Sequence, residues 1–248
     1  MAGLRVGTSG WQYRHWIGVL YPRDLPPARW LEVYARWFET VEVNATFYRL
    51  PSETTVDGWR ARTPARFAFA LKGSRFLTHV KRLLDEGPGL ARFMDPAARL
   101  GPKLGPVLWQ LPPAQRPDLS RLDRWLARLP PGRHAVEFRD PGWYSEATCA
   151  VLDAHGAAFC EHDRVARPPP RATGGWRYLR FHGVTGEYRG RYGPERLLPW
   201  ARELLAWEAA GREAWVYFNN DLGGEAVRDA LALRALLGRP AAADLPAP

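Results

Sequence analysis

Eight short runs rich in β-branched and aromatic residues, at 4–9, 40–46, 66–73, 105–111, 133–139, 157–162, 176–182 and 213–220, recur with stretches of helical apolar spacing between them. The spacing predicts helices over 27–38, 52–62, 89–100, 118–129, 145–155, 194–210 and 223–236. After the sixth run the chain reads as irregular, and the proline-rich tract Arg167–Arg171 stands where a sixth helix would be. Parallel strands need a long crossover, so strict alternation of strand and helix favours a parallel sheet, and eight such units close into a barrel. The expected fold is therefore α/β, a single (β/α)₈ TIM-type barrel, and a length of 248 residues suits one such domain over 1–248. No internal repeat interrupts it, and the only low-complexity stretch is an Ala/Pro tail from Pro240.

Side-chain parity within these runs says where the polar groups go. Successive residues of a strand face opposite sides. Val41 and Val43 oppose Glu42, Asn44 and Thr46; Phe67, Phe69 and Leu71 oppose Ala68, Ala70 and Lys72; Val107, Trp109 and Leu111 oppose Leu108 and Gln110. Val136 and Phe138 likewise oppose Glu137 and Arg139, Leu179 and Phe181 oppose Tyr178, Arg180 and His182, and Val216 and Phe218 oppose Tyr217 and Asn219. The outer face of a parallel barrel packs on helices and must be apolar, so the polar set points inward. It also falls late in each strand, which is the C-terminal mouth where such barrels place their sites.

That mouth would gather Glu42, Lys72, Glu137 and His182 as candidate acid–base groups, with Asn44, Gln110, Arg139, Arg180 and Asn219 as binding groups. Charges of both signs are costly to desolvate unless they pair or a ligand completes them. An ion-pair network plugging the barrel is thus the structural alternative to a site. Three cations face two carboxylates in this set, and an anionic ligand or acids from the sixth strand would settle the difference. The sixth strand, Phe159-Cys160-Glu161-His162-Asp163, has polar residues on both faces, and Asp163 at its end is the preferred pocket carboxylate.

Other candidates lie in loops. Gly183 to Gly193 offers glycines and arginines, Arg189 among them, of the kind that bind anions through backbone N–H groups and bidentate guanidinium donors. Gly7-Thr8-Ser9-Gly10-Trp11 brings Ser9 toward the mouth, without a nucleophile-elbow pattern around it, and Trp11 and Tyr48 are the aromatics expected to touch a ligand. No cofactor is identified. A divalent metal held by His162, Asp163, His182 and a glutamate is a disfavoured alternative, since no HxH or HExxH spacing is present.

Charge opens a rival reading. The net charge of +9 attracts phosphate, yet only Lys72, Lys81 and Lys103 of 35 basic residues are lysine, and the arginines are scattered without a run. Two cysteines without a metal or disulfide framework, no signal-peptide pattern over Met1–Gly10 and no long apolar run lead to the expectation of a cytoplasmic protein with no membrane partner.

Gly7-Thr8-Ser9-Gly10-Trp11, Val41-Glu42-Val43-Asn44-Ala45-Thr46-Phe47-Tyr48, Leu108-Trp109-Gln110-Leu111-Pro112-Pro113 and Val136-Glu137-Phe138-Arg139 together resemble the YecE-like family, also called domain of unknown function 72. Thr78-His79, Arg180-Phe181-His182-Gly183 and Tyr217-Phe218-Asn219-Asn220 continue the resemblance over nearly the whole chain. It implies a barrel, and places Glu42, Asn44, Lys72, Gln110, Glu137, Arg139, Arg180, His182 and Asn219 at motif positions. It carries over no catalytic residue. The sequence departs from the family pattern at His162, which precedes the usual acid.

Two functions follow as expectations. The first is an enzyme (hydrolase, lyase or isomerase) acting by acid–base chemistry on a small anionic substrate, phosphorylated or carboxylated. The second is a nucleic-acid-binding or processing protein, which the resemblance suggests through endonuclease-like barrels.

Overall fold

The computed structural model describes residues 3–84 and 87–239, and all eight expected strands form in it. They are β1 (Leu4–Thr8), β2 (Thr40–Val43), β3 (Ala68–Lys72), β4 (Leu104–Gln110), β5 (His134–Glu137), β6 (Ala158–His162), β7 (Arg177–Phe181) and β8 (Ala214–Phe218). Their order is β1-β8-β7-β6-β5-β4-β3-β2, with parallel ladders throughout. A parallel bridge between Ser9 and Glu42 joins β1 to β2, where the Gly10 N–H donates to the Glu42 carbonyl at 2.7 Å, and this closes the barrel.

The helices are α1 (Trp30–Trp37), α2 (Ala45–Tyr48), α3 (Glu53–Ala61), α4 (Pro88–Ala98), α5 (Leu119–Leu126), α6 (Glu146–Ala154), α7 (Gly193–Ala209) and α8 (Glu225–Leu236). Ser52, Asp118 and Ser145 begin three of them, each side chain accepting a backbone N–H three residues on, which satisfies one of the donors a helix start leaves open. No helix fills the sixth crossover. Thr173 stands in for part of it: its hydroxyl accepts the Phe159 N–H and donates to the Ala157 carbonyl, both at 2.8 Å, pinning the irregular segment to β6.

Two layers of packing follow from strand parity. Outward-facing Val41, Phe69, Trp109, Val136, Phe159, Leu179 and Val216 join the helices in one large core. Inside the barrel, Ala68, Ala70, Leu108, Ala135, Ala158, Cys160, Tyr178, Trp215 and Tyr217 form a second, separate core. Small residues on β3, β5 and β6 leave room for the bulky rings of β7 and β8; Tyr178 and Tyr217 sit with ring centroids 5.3 Å apart. These apolar residues fill the lower barrel, so the polar ones can lie only above them, at the C-terminal ends.

Two sequence expectations need correction. β2 ends at Val43, so Asn44 and Thr46 are not strand residues: Asn44 opens the short helix α2, and the Thr46 hydroxyl bonds to the Val43 and Lys72 carbonyls at 2.8 and 2.7 Å. The mixed parity of β6 resolves with Ala158, Cys160 and His162 inward, while Glu161 turns out to Arg177, with contacts of 2.7 and 2.6 Å. Glu161 therefore supplies no acid to the mouth. Outside the wall, where the sixth helix is missing, Leu179, Phe181, Trp200, Pro168 and Pro169 bound a cavity of about 320 Å³ that is mainly apolar. No helix among the described residues is long and apolar enough to cross a membrane. The Ala/Pro tail from Pro240 and the first two residues of the Met1–Gly10 segment lie outside the described residues.

Candidate functional site

Arg180 lies at the centre of the mouth, on the inward face of β7 two residues after Tyr178. Its Nη2 and Nε donate to Glu42 Oε1 at 2.8 and 3.2 Å, and its Nη1 donates to Glu137 Oε2 at 2.5 Å. Glu42 also accepts from the Ser9 hydroxyl at 2.6 Å and the Tyr178 hydroxyl at 2.7 Å, and Glu137 Oε1 accepts from Arg139 Nε at 2.5 Å. Both glutamates are fully buried. Burial by itself would raise their pKa values. The Arg180 charge with the Ser9 and Tyr178 hydrogen bonds outweighs it and holds Glu42 below its ordinary value, and Arg180 with Arg139 holds Glu137 well below. Both carboxylates are thus held toward the ionised form by their arginine partners. Ser9, expected near a ligand, is fully buried and committed to Glu42.

His182 is also committed. Its Nδ1 lies 2.8 Å from Asp163 Oδ1, its backbone N–H donates to the same carboxylate at 3.0 and 2.9 Å, and Arg139 Nη2 and Arg180 Nη1 each approach Nε2 at 3.3 Å. A guanidinium only donates, so Nε2 is the acceptor and the ring proton sits on Nδ1 toward Asp163. Burial and the Arg180 charge push the imidazole pKa down to about 4 against the opposing Asp163. His182 thus accepts from two arginines through Nε2 while its Nδ1 side is held by Asp163, which also accepts from the Tyr192 hydroxyl. Across pH 5–8 the ¹⁵N signals of His182 should stay those of a neutral Nδ1–H imidazole, and a titration midpoint near 6.5 would contradict this. Its lowered pKa makes the unfolded chain bind the extra proton first, so His182 removes stability as pH falls from 6.5 toward about 4.

The metal set does not converge. His162 Nε2 faces the Phe138 carbonyl at 2.8 Å and the Tyr144 hydroxyl at 3.1 Å, while its Nδ1 accepts the Arg164 N–H at 3.1 Å. With His182 and Asp163 bound to each other, both rings have their nitrogens engaged, and no group of three suitable ligands occurs among the described residues.

Lys72 differs from all of these. It ends β3 on the inward face, half-buried, with Nζ over the Phe47 ring at 4.3 Å, and no carboxylate of the described residues lies within ion-pair distance. Burial, reinforced by the Arg180 charge, lowers its pKa from 10.5 to about 8. Asp163 brings the count to three carboxylates for three cations, so the imbalance read from the sequence closes on paper, but it closes at His182 and leaves Lys72 unpaired. Phe47 in turn meets the His79 ring edge-on at 5.0 Å, so Lys72, Phe47 and His79 form one side of the mouth.

Among the remaining candidates, Gln110 and Asn219 end β4 and follow β8 on the inward face, half-buried and 8% exposed. Asn44 is half-buried with its Oδ1 unpartnered among the described residues. Tyr48 is 79% exposed, its ring edge-on to Phe47. Arg189 is exposed; its carbonyl packs against Gly183, whose positive φ of 96° and 2.0 Å clearance for an added Cβ fix the loop's fold there. The next residue inward on that loop, Tyr188, lays its ring against His182 at 5.5 Å. Trp11, expected to touch a ligand, is buried edge-on against Trp59 of α3 at 5.6 Å. The sequence reading missed Tyr178 as a partner of Glu42 and Phe47 as the seat of Lys72. Parity alone could have flagged Tyr178, which shares the inward face with Arg180.

These features define a (β/α)₈ barrel with a buried glutamate–arginine network under a lysine at its C-terminal mouth. A family model described as "Protein of unknown function DUF72" matches residues 5–248, and the chain belongs to that family. The UPF0759 protein YunF of Bacillus subtilis (strain 168) is 26% identical, with 94% of each chain covered. The UPF0759 protein YecE of Escherichia coli (strain K12) is 29% identical over 58% of this chain and 51% of its own. Among solved structures, a DUF72 family protein from Thermotoga maritima MSB8 superposes with a TM-score of 0.77 at 28% identity, covering 95% of this chain and 99% of that one. One from Enterococcus faecalis V583 gives 0.79 at 19% identity, covering 95% and 96%, and shares the fold.

Proposed function

We propose that the protein is an enzyme acting at the barrel mouth on a small anionic substrate, phosphorylated or carboxylated, by acid–base chemistry in which Lys72 moves the proton. The observation that carries this reading is that Lys72 is the mouth cation without a carboxylate partner. A lysine with a pKa near 8 is close to the value that suits proton transfer at neutral pH, and its charge gives an anion something to bind. Glu42, Glu137, Asp163 and His182 are positioning groups that hold Arg180 and Arg139 in place around it. The two free, buried thiols, Cys149 and Cys160, suit a reducing compartment such as the cytoplasm.

A melting-point screen of phosphorylated and carboxylated metabolites tests the reading. One or more should raise the melting point of the wild type, and the shift should vanish in Lys72→Met, because a ligand that favours the native state stabilises it in proportion to its affinity. A panel that shifts neither protein would defeat the proposal. Exposed Tyr48 beside Arg49 keeps nucleic-acid binding as a second reading, since exposed rings stack bases and arginines follow phosphates. It predicts mobility shifts with single strands that fade steeply with salt and survive Lys72→Met.

A further inference from the structure

We infer that Lys72 is an imine-forming nucleophile, and that the substrate class of the mouth is a small carbonyl compound bearing a carboxylate or phosphate. The inference rests on the reading of this mouth as an enzyme site for a small anion, and gives Lys72 covalent attachment of the substrate in place of proton transfer.

The first observation is compositional. Only three of the 35 basic residues are lysine, so this chain uses arginine almost everywhere a positive charge is wanted. An arginine keeps its proton at any working pH, whereas a lysine amine can lose its own and attack carbon. The three lysines occupy different surroundings. Lys103 donates to the Arg60 and Thr63 carbonyls and the Thr63 hydroxyl at 2.7, 2.6 and 3.1 Å, which uses all three of its protons. Lys81 lies at the surface over Phe76. Lys72 alone of the three stands in the mouth with no hydrogen-bond acceptor among the described residues, its Nζ 4.3 Å from the centre of the Phe47 ring.

The second observation is the neighbouring charge. Burial of Lys72, reinforced by the charges of Arg180 and Arg139 against those of Glu137 and Glu42, lowers its pKa to about 8, which gives the amine a neutral fraction of about one tenth at pH 7. The amine lone pair adds to the carbonyl carbon while the carbonyl π pair goes to oxygen; a proton then passes from nitrogen to that oxygen. The resulting carbinolamine loses water with a proton from solvent, leaving a C=N bond between Lys72 and substrate. The product of that loss is the iminium itself, its N–H still in place, and it puts the positive charge back beside two arginines. A carboxylate or phosphate on the substrate offsets it, which is why the carbonyl compound is expected to be anionic.

Trapping decides the matter. The full chain is incubated separately with pyruvate, glyoxylate and glycolaldehyde phosphate in the presence of cyanoborohydride, which delivers hydride to the iminium carbon and fixes the bond as a secondary amine. Intact mass and peptide mapping are then read for the wild type and for Lys72→Arg, which keeps the charge but cannot form the imine. The expected result is a single adduct on Lys72 with at least one probe, at least tenfold above Lys81 and Lys103, growing as pH rises from 6 to 8 and absent in Lys72→Arg. Adducts spread evenly over the three lysines, or none with any probe, would overturn the inference. A probe that raises the melting point without being trapped overturns the imine and leaves the acid–base reading standing. A probe that does neither, alongside a silent anion screen, removes both.

Discussion

Replacing Arg180 by methionine should cost ~3–5 kcal/mol of stability at pH 7, because it leaves Glu42 fully buried with no cation and Glu137 fully buried with Arg139 alone. For a chain of this size that corresponds to a fall in melting point of roughly 10 °C. The sign follows from removing one partner only. Glu42 would keep hydrogen bonds from Ser9 and Tyr178, and Glu137 would keep Arg139, but no remaining cation would bridge the two. The triple variant Arg180→Met, Glu42→Gln, Glu137→Gln should recover a large part of the loss, since a neutral polar core is cheaper than an unpaired charged one. In the wild type both carboxyls have lowered pKa values, so their contribution is present above the ordinary carboxylate range and is lost as pH falls through the folded values. In Arg180→Met those pKa values rise, and the deficit should be greatest near pH 7 and shrink toward pH 4.5 as the orphaned carboxyls take up protons. Urea unfolding of the variants at pH 7 and pH 4.5 measures both effects. A loss under 1 kcal/mol at pH 7 would mean that the bridge contributes little and that the barrel tolerates the two charges by other means.

The strands were legible because a period of two is an unambiguous signal when one face must be apolar. Val136 and Phe138 could only face helices, which sent Glu137 and Arg139 inward without any coordinates. Parity fails where a strand stops, and nothing in Val41 to Tyr48 marks Val43 as the last paired residue, so Asn44 and Thr46 were carried one turn too far. It also fails for residues beyond strand ends. Trp11 follows β1 as a mouth aromatic would, but the direction of the next loop decides whether it lines the mouth or packs on Trp59. Charge could be counted from the sequence, whereas pairing could not. Three cations and two acids look like a site awaiting an anion until Arg180 is found spanning Glu42 and Glu137, and Asp163 is found behind His182. What survives that pairing is a smaller and more specific feature, Lys72, which the sequence grouped with the rest.

Lys72→Met should therefore move in the direction opposite to Arg180→Met and stabilise the protein while removing anion binding. A lysine whose pKa falls from 10.5 to about 8 on folding is disfavoured in the folded state by about 3 kcal/mol at most. Its partial exposure reduces this to ~1–2 kcal/mol. Losing the contact with Phe47 takes back up to about 1 kcal/mol, so the expected net gain is ~1 kcal/mol at pH 7. The pH dependence separates this cause from better packing by methionine. Below about pH 8 both states hold the proton and the folded wild type bears its full handicap; between about 8 and 10.5 only the unfolded chain holds it, so wild-type stability rises with pH and the gap to the variant closes. Unfolding both proteins at pH 7 and pH 10 reads this directly, provided the gap is compared with that of Lys103→Met, whose amine is hydrogen-bonded and should lose stability when removed. A cation held at an energetic cost, in a chain that otherwise uses arginine, is what a functional lysine requires, and a structural one would show the reverse. If Lys72→Met destabilises the barrel as Arg180→Met does, Lys72 is one more member of the ion-pair network, and the proton carrier and the imine nucleophile both lose the group they depend on.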